Sequence, residues 1–444
     1  MIKLEESVRS GGLFQGYAYG YPHKMAYRRF EPALSVKEVW RDEERDSLFL
    51  YVHIPFCSYR CGFCNLFTTS GGEVNKGRVN AYLESLERQV EAVSESLGDD
   101  ARFARMAVGG GTPTFLRIDE WERLFRALSV LVPDSETIPI SVEMSPDTVD
   151  REKMRWLREG ARVERASLGV QSFIESETRT LGRPQRVGLV ISALEEIRSA
   201  GFPIRNIDLI YGMEGQDWES WRRSLSEALR FEPEELFLYP LYVREKTGLA
   251  RKGRAAGDHR EDLYRRGRDW LLERGYTQIS MRLFRLTSLS GSSGPTYCCQ
   301  EDGMVGLGAG ARSYTRSVHY STEWAVGRTG VVEILDHYSG LDLSEHGQAT
   351  HGALLDDDDQ RRRYVIKSVL RRDGLDLAAY ESRFGVSAWE DFSAPFAELI
   401  ECGAMVISGN SLRPTTLGLE WSDVIGPWIY SDEVKRLISE FEVR

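Results

Sequence analysis

Tyr51-Val-His-Ile-Pro-Phe-Cys57-Ser-Tyr-Arg-Cys61-Gly-Phe-Cys64-Asn65 holds three of the chain's six cysteines, directly after the apolar run Leu48 to Ile54. That run reads as a strand, so the C-x3-C-x2-C spacing lets three thiolates converge from one loop on one object. Thiolates select soft metals and iron–sulfur clusters. A 4Fe-4S cluster has four iron corners, and three protein ligands leave one iron open for something that is not protein. Zinc and buried free thiols are the competing readings. Structural zinc usually takes four ligands, and neither His53 nor a nearby fourth cysteine completes the set. A disulfide uses pairs, and clustered cysteines without a secretory leader suit a reducing compartment.

From Leu48 onward, short apolar runs alternate with helix-length amphipathic stretches. Strands are predicted at 48–54, 104–109, 137–143, 164–171, 204–211 and 235–240. Helices are predicted near 77–98, 119–131, 150–160, 187–200 and 217–230, where apolar residues recur at three- and four-residue spacing. Arg198-Ser-Ala-Gly201 supplies a glycine stop for one of them. Strands alternating with helices predict parallel βα units, in an open sheet or an incomplete barrel. In either, reactive groups gather at the carboxyl ends of the strands. Gly109-Gly-Gly-Thr-Pro113, Glu143, Gln171 and Asp208 all fall there. Polar groups at corresponding positions of successive units are costly inside an apolar core, so their recurrence points to a site.

At 444 residues, with 41% hydrophobic content, the chain predicts one large catalytic domain and a smaller one. No run of eighteen apolar residues occurs, and Met-Ile-Lys-Leu-Glu-Glu-Ser has no apolar leader. The expectation is a soluble, cytoplasmic protein with no membrane partner. A net charge of −11, with basic residues scattered among acids, argues against nucleic acid as a partner.

The cysteine motif with Phe63 before its last member resembles the signature of the radical S-adenosylmethionine (SAM) superfamily. The longer Tyr51-Val-His-Ile-Pro-Phe-Cys57 resembles the branch of oxygen-independent coproporphyrinogen III oxidases, their heme-chaperone relatives and class C radical methyltransferases. The resemblance covers nearly the whole chain. It implies an α/β fold: an N-terminal arm at 1–47, a partial (β/α)6 barrel with its extension at 48–350, and a small, mainly helical, winged-helix-like domain at 351–444. It implies a 4Fe-4S cluster on Cys57, Cys61 and Cys64, SAM chelated by the open iron, and an electron donor such as flavodoxin or ferredoxin. Reduction would then yield a 5′-deoxyadenosyl radical. Tyr51 matches the aromatic residue beside cluster and SAM, and Phe63 one near the adenine. Gly110, Gly111 and Thr112 match the loop holding the SAM amino group, and Glu143 a carboxylate near the methionine and ribose moieties. Gln171, Arg183 in Leu181-Gly-Arg-Pro-Gln185, and Asp208 match further SAM-site residues.

Other positions depart from these relatives. Leu66 stands where the oxidases carry another cysteine. Met281-Arg282-Leu283-Phe284 stands for their M-D-H-F, Gly294-Pro295 for a Phe-Gln that helps seat a second SAM, and Tyr297-Cys-Cys-Gln-Glu-Asp302 for the chaperones' H-N-x-x-Y-W. The expected activity is radical modification of a small organic molecule, with methyl or methylene transfer from a second SAM as the leading subtype. Single-SAM hydrogen abstraction, oxidative decarboxylation of a porphyrinogen-like substrate, and a heme-binding chaperone are the alternatives; one SAM or two would bind. The arm around Gly16 to Tyr27 reads as irregular, either covering a barrel end or forming a lid with Tyr17, Tyr21 and His23. Cys298 and Cys299 read as packing or substrate-facing thiols, and Cys402 as core. Gly306-Leu-Gly-Ala-Gly-Ala-Arg312 resembles a segment closing the relatives' active site, though as a pattern it lacks strand context.

Overall fold

The structure, a computed structural model, describes all residues except 1–2, 19, 134–137, 258, 290–300, 302 and 444, and no side chains at 72–76. Gly294-Pro295, Cys298 and Cys299, singled out in the sequence, therefore lie outside the described residues. Among those described, two compact units form: Arg28–Gly267 with Ser292–Gly352 and Glu442–Arg444, and Met1–Tyr27 with Arg268–Gly291 and Ala353–Phe441. The arm is thus divided at Tyr27 instead of forming a segment to 47.

The larger unit is built on β1 (Leu48–Ile54), β2 (Phe103–Gly110), β3 (Ile140–Met144), β4 (Arg165–Gln171), β5 (Ile204–Tyr211), β6 (Glu235–Pro240) and β7 (Met304–Leu307). Their order in the sheet is β7-β1-β2-β3-β4-β5-β6, every pair parallel. The order from β1 to β6 never reverses, as a barrel requires and a doubly wound sheet does not. Helices α1 (Gly72–Leu97), α2 (Ile118–Leu128), α3 (Arg151–Arg155), α4 (Val187–Ala200) and α5 (Trp218–Leu229) connect the successive strands. Gly201 closes α4 in the left-handed conformation, with φ 75°. A π-turn, Trp156–Gly160, finishes the stretch predicted as one helix.

Alternation along the strands separates core from lumen. Leu48, Leu50, Val52, Met106, Val108, Val142, Leu168 and Leu209 are buried on one face. On the other come Tyr51, Gly109, Glu143, Arg165 and Asp208. Beyond β7 the sheet continues through Arg312–Tyr314, Val318–Ser321 and Gln348–Leu354 to Arg28–Ser35 at its edge, the first two of these joining antiparallel and the last two pairing antiparallel with each other. Pro32 is tolerated in that strand because it is an edge.

One expectation needs correction. The glycine segment from Gly306 does have strand context, because β7 carries Met304 to Leu307 alongside β1. Four buried residues are too short a run to show a period. Outside the Gly16 to Tyr27 stretch, Leu4–Gly11 and Val36–Trp40 are helices and Arg28–Ser35 a strand. Between Gly16 and Tyr27 the one described element is the turn Lys24–Ala26.

The smaller unit is mainly helical. Helices including Asp357–Val369, Ala388–Glu401 and Ser422–Ile429 accompany a sheet of Leu375–Asp376, Met405–Ser408 and Ser411–Pro414. Its core joins Leu4, Ala18 and Tyr21 of the arm to Ile366, Tyr380, Phe392, Phe396 and Ile425, with Cys402 packed against it. Buried ion pairs join Arg282 to Asp423 at 2.6 Å and Arg268 to Glu420 at 3.2 Å.

Candidate functional site

The cysteine loop leaves β1 and is closed at its base by pairing of Phe56–Cys57 with Thr69–Ser70. At its centre, Gly62 donates to the Leu181 carbonyl and its own carbonyl accepts from Leu249 N–H, both at 2.8 Å. A Cβ at Gly62 would stand 2.7 Å from the Leu181 oxygen, so the residue between Cys61 and Phe63 has to be glycine. Phe63 then packs beside Leu181, Ile210, Met213 and Leu249. Leu66 is 48% exposed.

Cys57, Cys61 and Cys64 are unpaired and half-buried. Thr112 Oγ1 donates to Cys57 Sγ at 3.5 Å, Arg183 Nη1 donates to Cys61 Sγ at 3.2 Å, and Thr68 Oγ1 lies 3.8 Å from Cys64 Sγ. Burial pushes the Cys57 thiol up to about 12, reinforced by Cys64 and opposed by the Thr112 bond. Burial also raises Cys61, against the pull of Arg183. A soft metal centre that takes these protons would leave anionic sulfurs already furnished with donors. Sulfurs sharing one zinc at about 2.3 Å each would sit about 3.8 Å apart. Among the described residues, the one set of three ligand-type atoms mutually within 4.8 Å is Asp356, Asp358 and Asp359. The three thiols are therefore spread more widely than one zinc would draw them, and three thiolates are a donor set that suits an iron–sulfur cluster.

The glycine triplet ties this loop to the lumen, because each glycine meets a different group. A Cβ at Gly109 would stand 2.9 Å from the Glu143 carboxyl, one at Gly110 2.7 Å from the His53 ring, and one at Gly111 3.0 Å from Cys57 Sγ. Gly110 also has φ 115°, outside the range side chains favour, and its N–H donates to Glu143 Oε2 at 3.0 Å. His53 stands 3.3 Å from the Tyr51 hydroxyl and 2.9 Å from the Phe67 carbonyl. Tyr82 donates to the His53 carbonyl at 2.6 Å.

Glu143 is reached by solvent from the lumen, yet protein crowds it. That desolvation, with a smaller contribution from Asp208, pushes its carboxyl up to about 7, while the Gly110 N–H pulls it down. Burial likewise raises Asp208 to about 6, against its bond from Asn206 and the Arg165 charge. Arg165 pairs with Glu235 at 2.8 Å and donates to Ser141 Oγ at 3.2 Å. Asn206 donates to Ser167 Oγ at 2.8 Å and Asp208 Oδ1 at 2.7 Å, and its own Oδ1 is buried without a partner among the described residues. The lumen is thus a layered polar surface suited to a polar ligand.

At the end of β4, Gln171 has φ 68° beside a register shift between Gly169 and Gln171. A residue held there costs about 1–3 kcal/mol and marks a position the fold constrains. Arg183, buried, donates to Gln185 Oε1 at 2.8 Å, the Gly169 carbonyl at 2.7 Å and Ser145 Oγ at 3.2 Å, besides Cys61.

Geometry therefore links Cys57, Cys61, Cys64, Gly110, Gly111, Thr112, Glu143 and Arg183 by direct contacts. Tyr51 adjoins them through His53, Asp208 through charge, and Phe63 from the packed side. Sequence reasoning missed His53, Arg165, Asn206 and Glu235. Arg165 was findable, since it lies on the lumen face two and four residues before Ser167 and Gly169. In the Met281 to Phe284 segment, Arg282 is only 4% exposed and paired to Asp423, and Leu283 opens a strand, Leu283–Leu286, of the large sheet.

A sequential parallel barrel with a three-cysteine loop at its carboxyl end defines a class: proteins that use an iron–sulfur cluster to cleave SAM. Comparison with known proteins agrees. Residues 51–228 match the Radical SAM superfamily and residues 355–421 the HemN C-terminal domain. The heme chaperone HemW of Bacillus subtilis is 26% identical over 393 residues, covering 85% of this chain and 98% of its own. The oxygen-independent coproporphyrinogen III oxidase of Pseudomonas aeruginosa is 29% identical over 371 residues, covering 79% of this chain and 77% of its own. The solved coproporphyrinogen III oxidase of Escherichia coli shares the fold with a TM-score of 0.77 at 24% identity, over 93% of this chain and 96% of that one. The chain belongs to the radical SAM superfamily and is an enzyme of its coproporphyrinogen III oxidase-like branch. No helix among the described residues is long and apolar enough to cross a membrane.

Proposed function

We propose that this enzyme abstracts hydrogen from a small polar organic molecule bound in the barrel lumen. Convergence of the three thiols, the glycine triplet and Glu143 at one end of that lumen carries the reading. Cys57, Cys61 and Cys64 would hold a 4Fe-4S cluster, which supplies one electron to SAM and hence a 5′-deoxyadenosyl radical. The Gly109 to Thr112 loop, with the N–H groups of Gly110, Gly111 and Thr112 given to Glu143, Ile54 and Phe56, sets bare backbone beside the polar end of SAM, and Glu143 faces its positive charge. Tyr51 and Phe63 flank the site, and Gln171, Arg183 and Asp208 shape its far side. The polar layer of Arg165, Asn206 and Asp208 supports a polar substrate and one defined pose.

Methyl or methylene transfer from a second SAM is the further step carried by the resemblance to class C methyltransferases. Porphyrinogen decarboxylation has less support, because Arg282 is occupied by Asp423 and Leu66 replaces a cysteine. The electron would come from a small donor such as flavodoxin or ferredoxin. Incubation of the reduced enzyme with methyl-labelled SAM and candidate metabolites tests these roles. Release of 5′-deoxyadenosine that accelerates with a substrate supports abstraction; label in the product, with S-adenosylhomocysteine, adds transfer. Tight heme binding with no substrate-accelerated SAM cleavage would overturn the proposal in favour of the role named for the Bacillus relative.

A further inference from the structure

Each cysteine of the loop meets one polar side chain, and the three come from different segments of the barrel unit. Thr112 serves Cys57, Arg183 serves Cys61 and Thr68 serves Cys64, at 3.5, 3.2 and 3.8 Å. They differ in kind. The threonines bring neutral hydroxyls that rotate, whereas Arg183 brings a charge and a fixed fork. Nothing in its surroundings lets that fork move: Nε is held by Gln185 and Nη2 by both Gly169 and Ser145, with the side chain 6% exposed. Tyr59 lies under the guanidinium at 5.6 Å. Among the described residues Arg183 donates to no carboxylate, so the sulfur of Cys61 is its one hydrogen-bond partner able to carry a full negative charge.

We propose that Arg183 is a positioning residue for the cluster that raises its reduction potential through Cys61. This rests on the reading that the three cysteines hold a cluster. Hydrogen bonds to ligating sulfurs and nearby net charge set cluster potentials, and a buried charge acts in a medium that screens it weakly. Adding one electron makes the centre more negative, and the fixed guanidinium beside Cys61 stabilises that form. The fork bound to Gly169 and Ser145 also ties the cysteine loop to the ends of β3 and β4. In the free protein each guanidinium nitrogen already donates to a protein acceptor, so Arg183 serves the cluster before any ligand arrives.

The test uses the full chain reconstituted anaerobically with iron and sulfide, without SAM. Its midpoint potential is titrated with dithionite as the one-electron donor and followed by electron paramagnetic resonance. Arg183→Gln should lower the potential by about 59 mV or more, a tenfold change for one electron. Arg183→Lys keeps the charge, loses the fork and should fall between; it carries the test should the Gln variant retain no iron. Thr68→Val should shift the potential less than Arg183→Gln. Either Arg183 variant at the wild-type potential overturns the proposal, as does a shift that emerges only with SAM present, which would assign the residue to SAM. A wild-type chain that takes up no iron would overturn the cluster reading itself.

Discussion

Glu143→Gln should remove the pH dependence of SAM binding while leaving the loop intact. The amide oxygen can still accept from Gly110 N–H, now 3.0 Å from the carboxylate, and the substitution changes little volume. What disappears is the negative charge facing a cationic ligand. A hydrogen bond to a charged group contributes about 1.5–3 kcal/mol, and about 1.4 kcal/mol is tenfold in affinity, so SAM should bind roughly 10- to 150-fold more weakly above pH 7. The sign follows from the raised carboxyl, near 7 in the free protein. Above that value the wild type is ionised and binds best; below it the carboxyl is protonated and affinity falls toward that of the variant. Folding is linked oppositely: the folded carboxyl binds more protons than the unfolded one between about 4.5 and about 7, so stability falls as pH rises through that window. The variant should escape that loss. Equilibrium dialysis with labelled SAM at about pH 6 and about pH 8 reads the effect. Equal affinity of variant and wild type at the higher pH, or a flat wild-type profile, would refute the role given to Glu143.

Replacing Cys57, Cys61 or Cys64 by Ala should abolish cluster binding, read as iron and sulfide content, whereas Cys402→Ala should leave it unchanged because that thiol packs in the smaller unit. Arg282→Met removes one side of the buried pair with Asp423, 1% exposed, and should destabilise by roughly 3–5 kcal/mol in urea unfolding; adding Asp423→Leu should recover much of it, since breaking a buried pair on one side costs more than replacing both sides. At Gly308, with φ 96°, a Cβ would clash with the Tyr82 hydroxyl and stand 2.7 Å from the His53 carbonyl. Gly308→Ala should therefore cost roughly 2–4 kcal/mol from strain and overpacking. Gly340→Ala, with nothing within 4 Å, should be neutral or stabilise by up to about 1 kcal/mol.

The barrel strands were legible because each is a buried run flanked by an amphipathic helix, so hydrophobic period alone located them. Leu48–Ile54 and Ile204–Tyr211 agree with expectation at both ends. β7 escaped because four buried residues have no period, and the edge strand Arg28–Ser35 because Pro32 and two arginines argue against pairing. The site was legible wherever one residue type has a narrow chemical use: three spaced cysteines, a glycine triplet, a lone carboxylate at a strand end. His53 and Glu235 are common residues whose work depends on their neighbours, and nothing in their local sequence distinguishes them.

Amino-acid order by itself determined the βα alternation, the cysteine loop and the carboxyl-end positions of Glu143 and Gln171, because all three follow from local period and spacing. Tertiary structure alone decided which groups face one another. Arg183 lies 122 residues from Cys61 yet donates to its sulfur, and Arg282 lies 141 residues from Asp423 yet shares its carboxylate. Such contacts form where distant segments meet in a packed interior, and a buried charge there is stable only with a partner that local sequence cannot name.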